Sequence, residues 1–375
     1  MSLLYCLGIE STAHTFGASV IAYKKPSKKG KRDASEMNSS AEKKTVLNPK
    51  DVSIVSNIRD AFTTTEGGMI PFEVAEHHVS VCDSIIKQAL EKAGITITDI
   101  SLISVSQSPG IGHMLRVGMM CARSLSVVHS IPIIGVNHCI AHLEIGRLLT
   151  NAKDPILLYA SGANTQIIAY DAGLYRVFGE TLDIGIGNFL DQFARFAGLG
   201  FPGGPKIGLL AKQYKDRCKK EKIDPVYIEL PYTVKGMDVG FGGMLTKLKT
   251  LFYEKDEAGN AVYPLDQLCY ALEETAYAML CEVTERAMAH CGKDEVLLGG
   301  GVACAPRLQE MCDLMCTDRG GASFVLDNEF NVDNAAMIAW LGIIMHEIGN
   351  VTSDVASLAI DPYLRTDDVI VTWRD

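Results

Sequence analysis

The stretch from Ile100 to His142, ISLISVSQSPGIGHMLRVGMMCARSLSVVHSIPIIGVNHCIAH, decides the fold class. Ile100 to Val105 is an apolar run of strand length, and Pro109-Gly-Ile-Gly112 turns the chain. Leu115 to His129 then carries apolar residues at helical spacing, Ile131 to Val136 is a second strand-like run, and a further helix opens at Asn137-His-Cys-Ile-Ala-His142. Strand alternating with helix argues for an α/β protein. The last of these helices carries chemistry as well. His138 and His142, four residues apart, project from one face about one turn apart. That spacing suits one divalent ion, with a third ligand brought from elsewhere in the fold. Asp333, in Asn331-Val-Asp-Asn334, is the distant acid that would complete it.

The pattern extends in both directions. Upstream, Leu3 to Ile9 reads as a buried strand, Glu10-Ser-Thr-Ala-His14 as a polar turn, and Thr15 to Tyr23 as the returning strand of a hairpin. Residues 24–50 hold nine Lys/Arg against three Asp/Glu and almost no large apolar side chains. Such a segment cannot bury a core and is expected to be a disordered insertion, either a solvated loop or a basic patch for nucleic acid or targeting. Val52 to Ile58 resumes the strand pattern, and Ile70 to Ala93 is helical up to Gly94. Downstream, strands are expected at 156–160, 166–170 and 175–178, and helices near 187–198, 204–215 and 264–291. Glu295 to Leu298 is a strand opening into Gly299-Gly-Gly-Val-Ala303, and Arg307 to Arg319 is helical. Three strands, then helices, then strand-turn-helix occur twice. The expectation is two similar lobes with a cleft between them, at 1–155 and 156–335, with 336–375 returning to the first lobe.

Composition bounds the function. The 375 residues suffice for two packed lobes. A net charge of −10 means that a nucleic-acid partner must be held by a local basic patch or by other proteins. Eleven cysteines in no regular framework read as reduced thiols, as in the cytosol or nucleus. The start, Met1-Ser-Leu-Leu-Tyr-Cys-Leu-Gly8, lacks the features of a signal peptide. No window reaches the roughly 18–20 apolar residues of a membrane span, and the best candidate, Ala335 to Met345, fits a buried helix.

Four turns are able to approach a phosphate: Gly8-Ile-Glu-Ser-Thr-Ala13, Pro109-Gly-Ile-Gly112, Ser161-Gly-Ala-Asn-Thr165 and Gly299-Gly-Gly301. Glycine permits close backbone approach, and N–H groups at turns attract anions. None matches a Walker or dinucleotide fingerprint. Asp191, in Gly187-Asn-Phe-Leu-Asp191, precedes the tight turn Pro202-Gly-Gly-Pro205 and is a carboxylate able to bind a ribose diol, or simply a solvated acid. A zinc-peptidase reading requires Glu directly after the first histidine as general base; here Cys139 stands there.

The run Gly8-Ile-Glu-Ser-Thr-Ala-His-Thr15, Asn137-His-Cys-Ile-Ala-His142, Leu158-Tyr-Ala-Ser-Gly-Ala-Asn-Thr-Gln166, Pro202-Gly-Gly-Pro205, Leu230-Pro-Tyr-Thr-Val-Lys-Gly-Met-Asp238 and Asp333-Asn334 resembles the TsaD/OSGEP family. The ending Arg365-Thr-Asp-Asp-Val-Ile-Val-Thr-Trp-Arg-Asp375 is similar to its eukaryotic cytosolic branch, the catalytic subunit of the KEOPS complex. The resemblance covers nearly everything except residues 24–50. It implies the two-lobed fold of actin, heat-shock ATPases and sugar kinases (ASKHA) with an interlobe cleft. It also implies a tRNA threonylcarbamoyltransferase, cytoplasmic and nuclear. Its donor would be threonylcarbamoyl-AMP from a separate synthase, its acceptor the adenosine adjacent to the anticodon, and ATP or ADP would occupy the same site. Its partners would be tRNA and the KEOPS subunits, a small atypical kinase/ATPase and a dimerisation subunit, with no membrane. By motif match, one iron, zinc or manganese ion would be held by His138, His142 and Asp333, with Tyr159 on or near it. Ser161, Gly162, Ala163 and Asn164 would cradle the phosphate, and Asp191, Gly203 and Gly204 would hold the ribose.

Five positions depart from that family's pattern. Ala163 and Ala335 stand where glycine is usual, and Gly242 where serine is usual. Ala305 replaces an asparagine on the adenine side, and Gly208 a glutamate that often reaches the ribose. The two missing hydrogen-bonding side chains are expected to weaken nucleotide binding by roughly one to three orders of magnitude if nothing compensates. The extra methyls are expected to crowd the phosphate loop and the metal ligand. Three readings therefore compete: an active transferase, a divergent scaffold or regulatory KEOPS subunit, and a metallopeptidase.

Overall fold

A computed structural model describes residues 3–25, 47–64, 69–349 and 355–374. In chain order its elements are β1 (Leu3–Glu10), β2 (Thr15–Lys24), β3 (Val52–Ala61), α1 (Pro71–Ala93), β4 (Leu102–Ser108), α2 (Gly112–His129), β5 (Ile133–Asn137) and α3 (His138–Leu149). There follow β6 (Ile156–Ala160), β7 (Thr165–Asp171), β8 (Leu174–Glu180), α4 (Ile186–Phe196), α5 (Gly204–Glu221), β9 (Thr233–Lys235), β10 (Asp238–Gly240), α6 (Gly242–Tyr253) and α7 (Leu265–Cys291). The chain closes with β11 (Glu295–Gly299), α8 (Pro306–Asp318), β12 (Ala322–Val325), the single turn α9 (Asn328–Asn331) and α10 (Ala335–Glu347).

These elements form two compact units. The first comprises 1–62, 71–148 and 333–375, the second 63–70 and 149–332. Asp333 therefore belongs to the first unit, whereas the expected boundary after 335 put it in the second lobe. In the first unit the sheet runs β3-β2-β1-β4-β5. Strands β1, β2 and β3 pair antiparallel, and β1, β4 and β5 pair parallel. Because β1 is covered on both faces it is an almost unbroken apolar run. Leu7 and Ile9 pack with Ile85 of α1 and Met119 of α2. Gly8 points to the other face, where α10 lies so close that a Cβ would collide with the Ala335 carbonyl oxygen.

The second unit repeats this order as β8-β7-β6-β11-β12, again with three antiparallel and then two parallel partners. Its core centres on α7, whose Leu268, Leu272, Ala276 and Leu280 are fully buried. The hairpin β9–β10, α6 and β12 were not expected from local sequence. Helix α5 continues past the expected residue 215 to Glu221 and is ended by Lys222 at φ 57°.

The expected insertion at 24–50 needs correcting at its edges. Lys24 ends β2, Lys25 pairs with Glu347 at 2.8 Å, and Pro49–Asp51 is a 3-10 turn capped by Asn48. Its body, 26–46, lies outside the described residues. No helix among the described residues is long and apolar enough to cross a membrane; the run from Ala335 is the buried α10.

Candidate active site

The first unit assembles the metal-ligand set from three separate segments. Asn137 ends β5 and caps α3, its Oδ1 accepting from the N–H groups of Cys139 and Ile140 at 3.0 and 3.1 Å. His138 is thereby the first residue of α3, and His142 lies one turn along. Asn334 caps α10 in the same way, accepting from Met337 N at 3.2 Å. Asp333, just before that cap, sits at the helix N-terminus, where negative charge is favoured. Asp333 Oδ1 is 3.4 Å from His138 Nε2 and 3.3 Å from His142 Nε2. The two imidazoles meet edge to face at 4.8 Å.

Longer-range contacts hold this alignment. Trp340 of α10 donates to the Glu144 carbonyl at 3.1 Å, and Trp373 of the C-terminal tail donates to the Glu144 carboxylate at 2.7 Å. The first ties α3 to α10, which carries Asp333 at its N-terminus, and the second ties the tail to α3.

Behind the pair lies a carboxylate that the sequence places in a polar turn and a glycine loop, with no sign of a histidine partner. Glu10, fully buried at the end of β1, places Oε2 3.0 Å from His138 Nδ1. Its other oxygen accepts from Thr12 N at 2.6 Å and Thr12 Oγ1 at 2.5 Å. A carboxylate at Nδ1 fixes the tautomer that leaves Nε2 open as a ligand. The signal that was available is a glutamate at the end of an otherwise apolar strand, followed by Ser-Thr.

The electrostatics suit a cation. Burial alone would raise the Asp333 carboxyl, but the His138 and His142 imidazoles hold it well below the usual carboxylate range. Burial lowers the His142 pKa, with His138 adding to the effect against the pull of Asp333. The result is a neutral donor beside an ionised one, in the forms a metal requires. His138, His142 and Asp333 place one ligand atom each within 4.8 Å of one another. Two imidazole nitrogens and one carboxylate suit zinc, iron or manganese, so the residues present fit the ion.

Tyr159 does not share this unit. It lies in β6, 1% exposed, paired in register with Gly299 of β11 and Gln166 of β7.

The second unit gathers the other candidates. Ser161 N donates to Asn164 O at 2.9 Å, closing a tight turn between β6 and β7. Gly187 N and Asn188 N at the start of α4 donate to the Ser161 and Gly162 carbonyls at 3.0 and 2.8 Å. Among the described residues the amides of Gly162 and Ala163 have no hydrogen-bond partner, and both residues are exposed. Two outward N–H groups suit an anion. Ala163 is exposed, and Ala335 is buried at the start of α10.

Asp191 Oδ1 accepts from Gly203 N at 2.7 Å, so the carboxylate and the Gly203–Gly204 turn form one feature. Gly208 lies one turn further along α5, opposite Glu273 of α7. Ala305 caps α8 and packs on the core. Gly242 starts α6, its N–H and that of Phe241 donating to Asp183 at 2.8 and 2.9 Å. A Cβ at Gly242 would press on that carboxylate. Of the four glycine turns, each unit brings two together. Gly110 lies against Thr12 in the first, and Gly300 against Ala160 and Ser161 in the second.

Comparison with known proteins adds to this geometry. A family model described as "TsaD: tRNA N6-adenosine threonylcarbamoyltransferase" matches residues 52–340. A tRNA N6-adenosine threonylcarbamoyltransferase of Thermococcus kodakarensis is 45% identical over 370 residues, 99% of this chain and 100% of that protein. The protein of the same name from Danio rerio is 45% identical over 332 residues, 87% of this chain and 94% of its own length. Among solved structures, T. kodakarensis HypF covers 90% of this chain and 47% of its own at a TM-score of 0.54 and 12% identity. That likeness shows the ASKHA-class fold alone.

Proposed function

The chain belongs to the TsaD family, and from that membership we propose that it is a tRNA N6-adenosine threonylcarbamoyltransferase using a divalent metal at His138, His142 and Asp333. The observation that carries this reading is the convergence of three donors and the Glu10 carboxylate behind His138. The donor is threonylcarbamoyl-AMP, supplied by a separate synthase. The acceptor is the exocyclic amine of the adenosine adjacent to the anticodon. The amine nitrogen bonds to the carbamoyl carbon, the bond from that carbon to the phosphate oxygen breaks, AMP leaves, and one amine proton is released.

When bound, the ion supplies a Lewis acid for the carbamoyl carbonyl and a template for the phosphate. The protein's own work is positional. Glu10 holds the His138 Nδ1 proton, leaving Nε2 as a donor, and the α10 cap presents Asp333 already ionised. The Gly162 and Ala163 amides receive the phosphate end, and Asp191 with Gly203–Gly204 receives the ribose. ATP or ADP would take the same nucleotide place.

An acidic subunit is suited to work with partner proteins that supply part of the tRNA backbone contact, here KEOPS-type subunits in cytoplasm and nucleus. The scaffold reading rests on the substitutions at Gly208, Ala305 and Ala335, and Cys139 leaves the peptidase reading without its base.

The test is transfer of labelled threonine to tRNA by the purified chain with synthase, ATP, bicarbonate and partner subunits. Asp333→Ala should abolish both incorporation and metal retention. Full incorporation in that variant would refute the reading.

A further inference from the structure

Helix α7 carries two adjacent glutamates in different circumstances. Glu274 accepts both arms of Arg307, Nε to Oε1 and Nη2 to Oε2, at 2.7 Å each. Glu273 is 7% exposed and among the described residues forms no ion pair. One hydrogen bond reaches it, from the Tyr277 hydroxyl to Oε1 at 3.4 Å. Burial pushes its carboxyl up to about 7, against the pull of the Tyr277 hydroxyl; Glu274 adds to the rise, and Lys215 and Arg307 oppose it more weakly. A buried carboxylate with a single long hydrogen bond keeps most of its acceptor capacity unused, and that costs free energy unless something completes it.

The element facing it is α5. A Cβ on Gly208 would stand 3.2 Å from Glu273 Oε1. The absence of a side chain at 208 therefore leaves a gap into which the carboxylate points. Gly208 follows Gly204 by one helical turn and lies on the same face of α5. The Gly203–Gly204 turn in its place is joined to Asp191. Two carboxylates thus border the first two turns of α5, one at each end.

From this juxtaposition we propose that Glu273 is the second carboxylate of a sugar-diol subsite in the second unit. It accepts hydrogen bonds from the vicinal hydroxyls of a nucleoside laid along the Asp191–Gly203–Gly204 turn, across the gap at Gly208. A carboxylate offers two acceptors and no donor, which complements a pair of hydroxyls. It repels phosphate, so the phosphate end lies away from it, toward the amides of Gly162 and Ala163. The subsite would offset the missing side chain at Gly208. It rests on the nucleotide reading of this unit given above.

The experiment is calorimetric titration of the full chain at pH 8 with ADP and with 2′,3′-dideoxy-ADP. The parent should prefer ADP, and the near-isosteric Glu273→Gln should bind ADP about tenfold more weakly while leaving the dideoxy compound almost unchanged. Gly208→Ala, which intrudes on the gap while keeping the carboxylate, should show a smaller loss confined to ADP. Circular dichroism checks that each variant is folded. Equal ADP binding by Glu273→Gln and the parent would overturn the subsite while leaving the nucleotide reading intact. A parent that fails to bind ADP at millimolar concentration would overturn both.

Discussion

The two units share one sheet order and differ in what they place on its first turn. In the first unit, β1 ends in Glu10-Ser11-Thr12, three side chains buried from solvent. In the second, β6 ends in Ser161-Gly162-Ala163-Asn164, a turn whose exposed middle offers backbone N–H groups. One turn supports a cation site and the other suits an anion. The frame fixes where the chain folds back; residue identity at that point fixes the sign of the charge received. Two acids show the same division. Asp333 is held ionised by two imidazoles, whereas Glu273 is held toward its neutral form by burial.

The closeness of packing in the first unit offers the largest expected effect. Gly8→Ala drives a methyl into the backbone of Ala335 and Ala339, and backbone cannot yield as a side-chain tip can. It should cost about 3 kcal/mol and loosen the approach of α10 that brings Asp333 to the histidines. Gly204→Ala in the second unit meets only Leu190 Cδ1 at 3.6 Å and should cost well under half as much. Urea denaturation of both variants measures the contrast; equal losses would show that the two frames are packed alike.

Glu10→Gln addresses the charge on the first turn. It keeps the shape and removes the charge behind His138, so zinc affinity measured against a competing chelator should fall about ten- to a hundredfold. An unchanged affinity would remove Glu10 from the site.

The smallest effect separates Glu273 from Asp333 by pH. The Glu273 carboxyl is raised from 4.5 to about 7, so the folded state holds its proton more tightly than the unfolded chain. Its stabilising contribution is full below about pH 4.5 and is lost as pH rises through about 7. Glu273→Gln, neutral throughout, should gain on the parent by about 1–2 kcal/mol between pH 5 and pH 8. Asp333 works in the opposite sense: its folded pKa is depressed, so its contribution is present above about pH 4 and is lost as pH falls below that. Urea curves at both pH values test this, and a pH-independent gain for Glu273→Gln would contradict the buried-acid assignment.

The sequence by itself determined what is written in local periodicity. The apolar runs of β1, β2, β4, β5, β6 and β11, the helices α1, α2 and α7, and the pairing of His138 with His142 along one helix all follow from spacing within about thirty residues. Asp333 and the Asp191–Gly203 turn were legible as candidates because the residue types are those such chemistry requires. Helix α6 escaped because its cap is remote: Asp183 receives the amides of Phe241 and Gly242 from 58 and 59 residues away. The role of Glu10 escaped for the same reason, since its histidine partner is 128 residues distant. Only the tertiary structure decided which unit owns Asp333, that Glu10 backs His138, and that Glu273 stands over the gap at Gly208. Periodicity reports which face of an element is buried. What a buried side chain meets there depends on which distant segment the sheet order and helix packing bring against it.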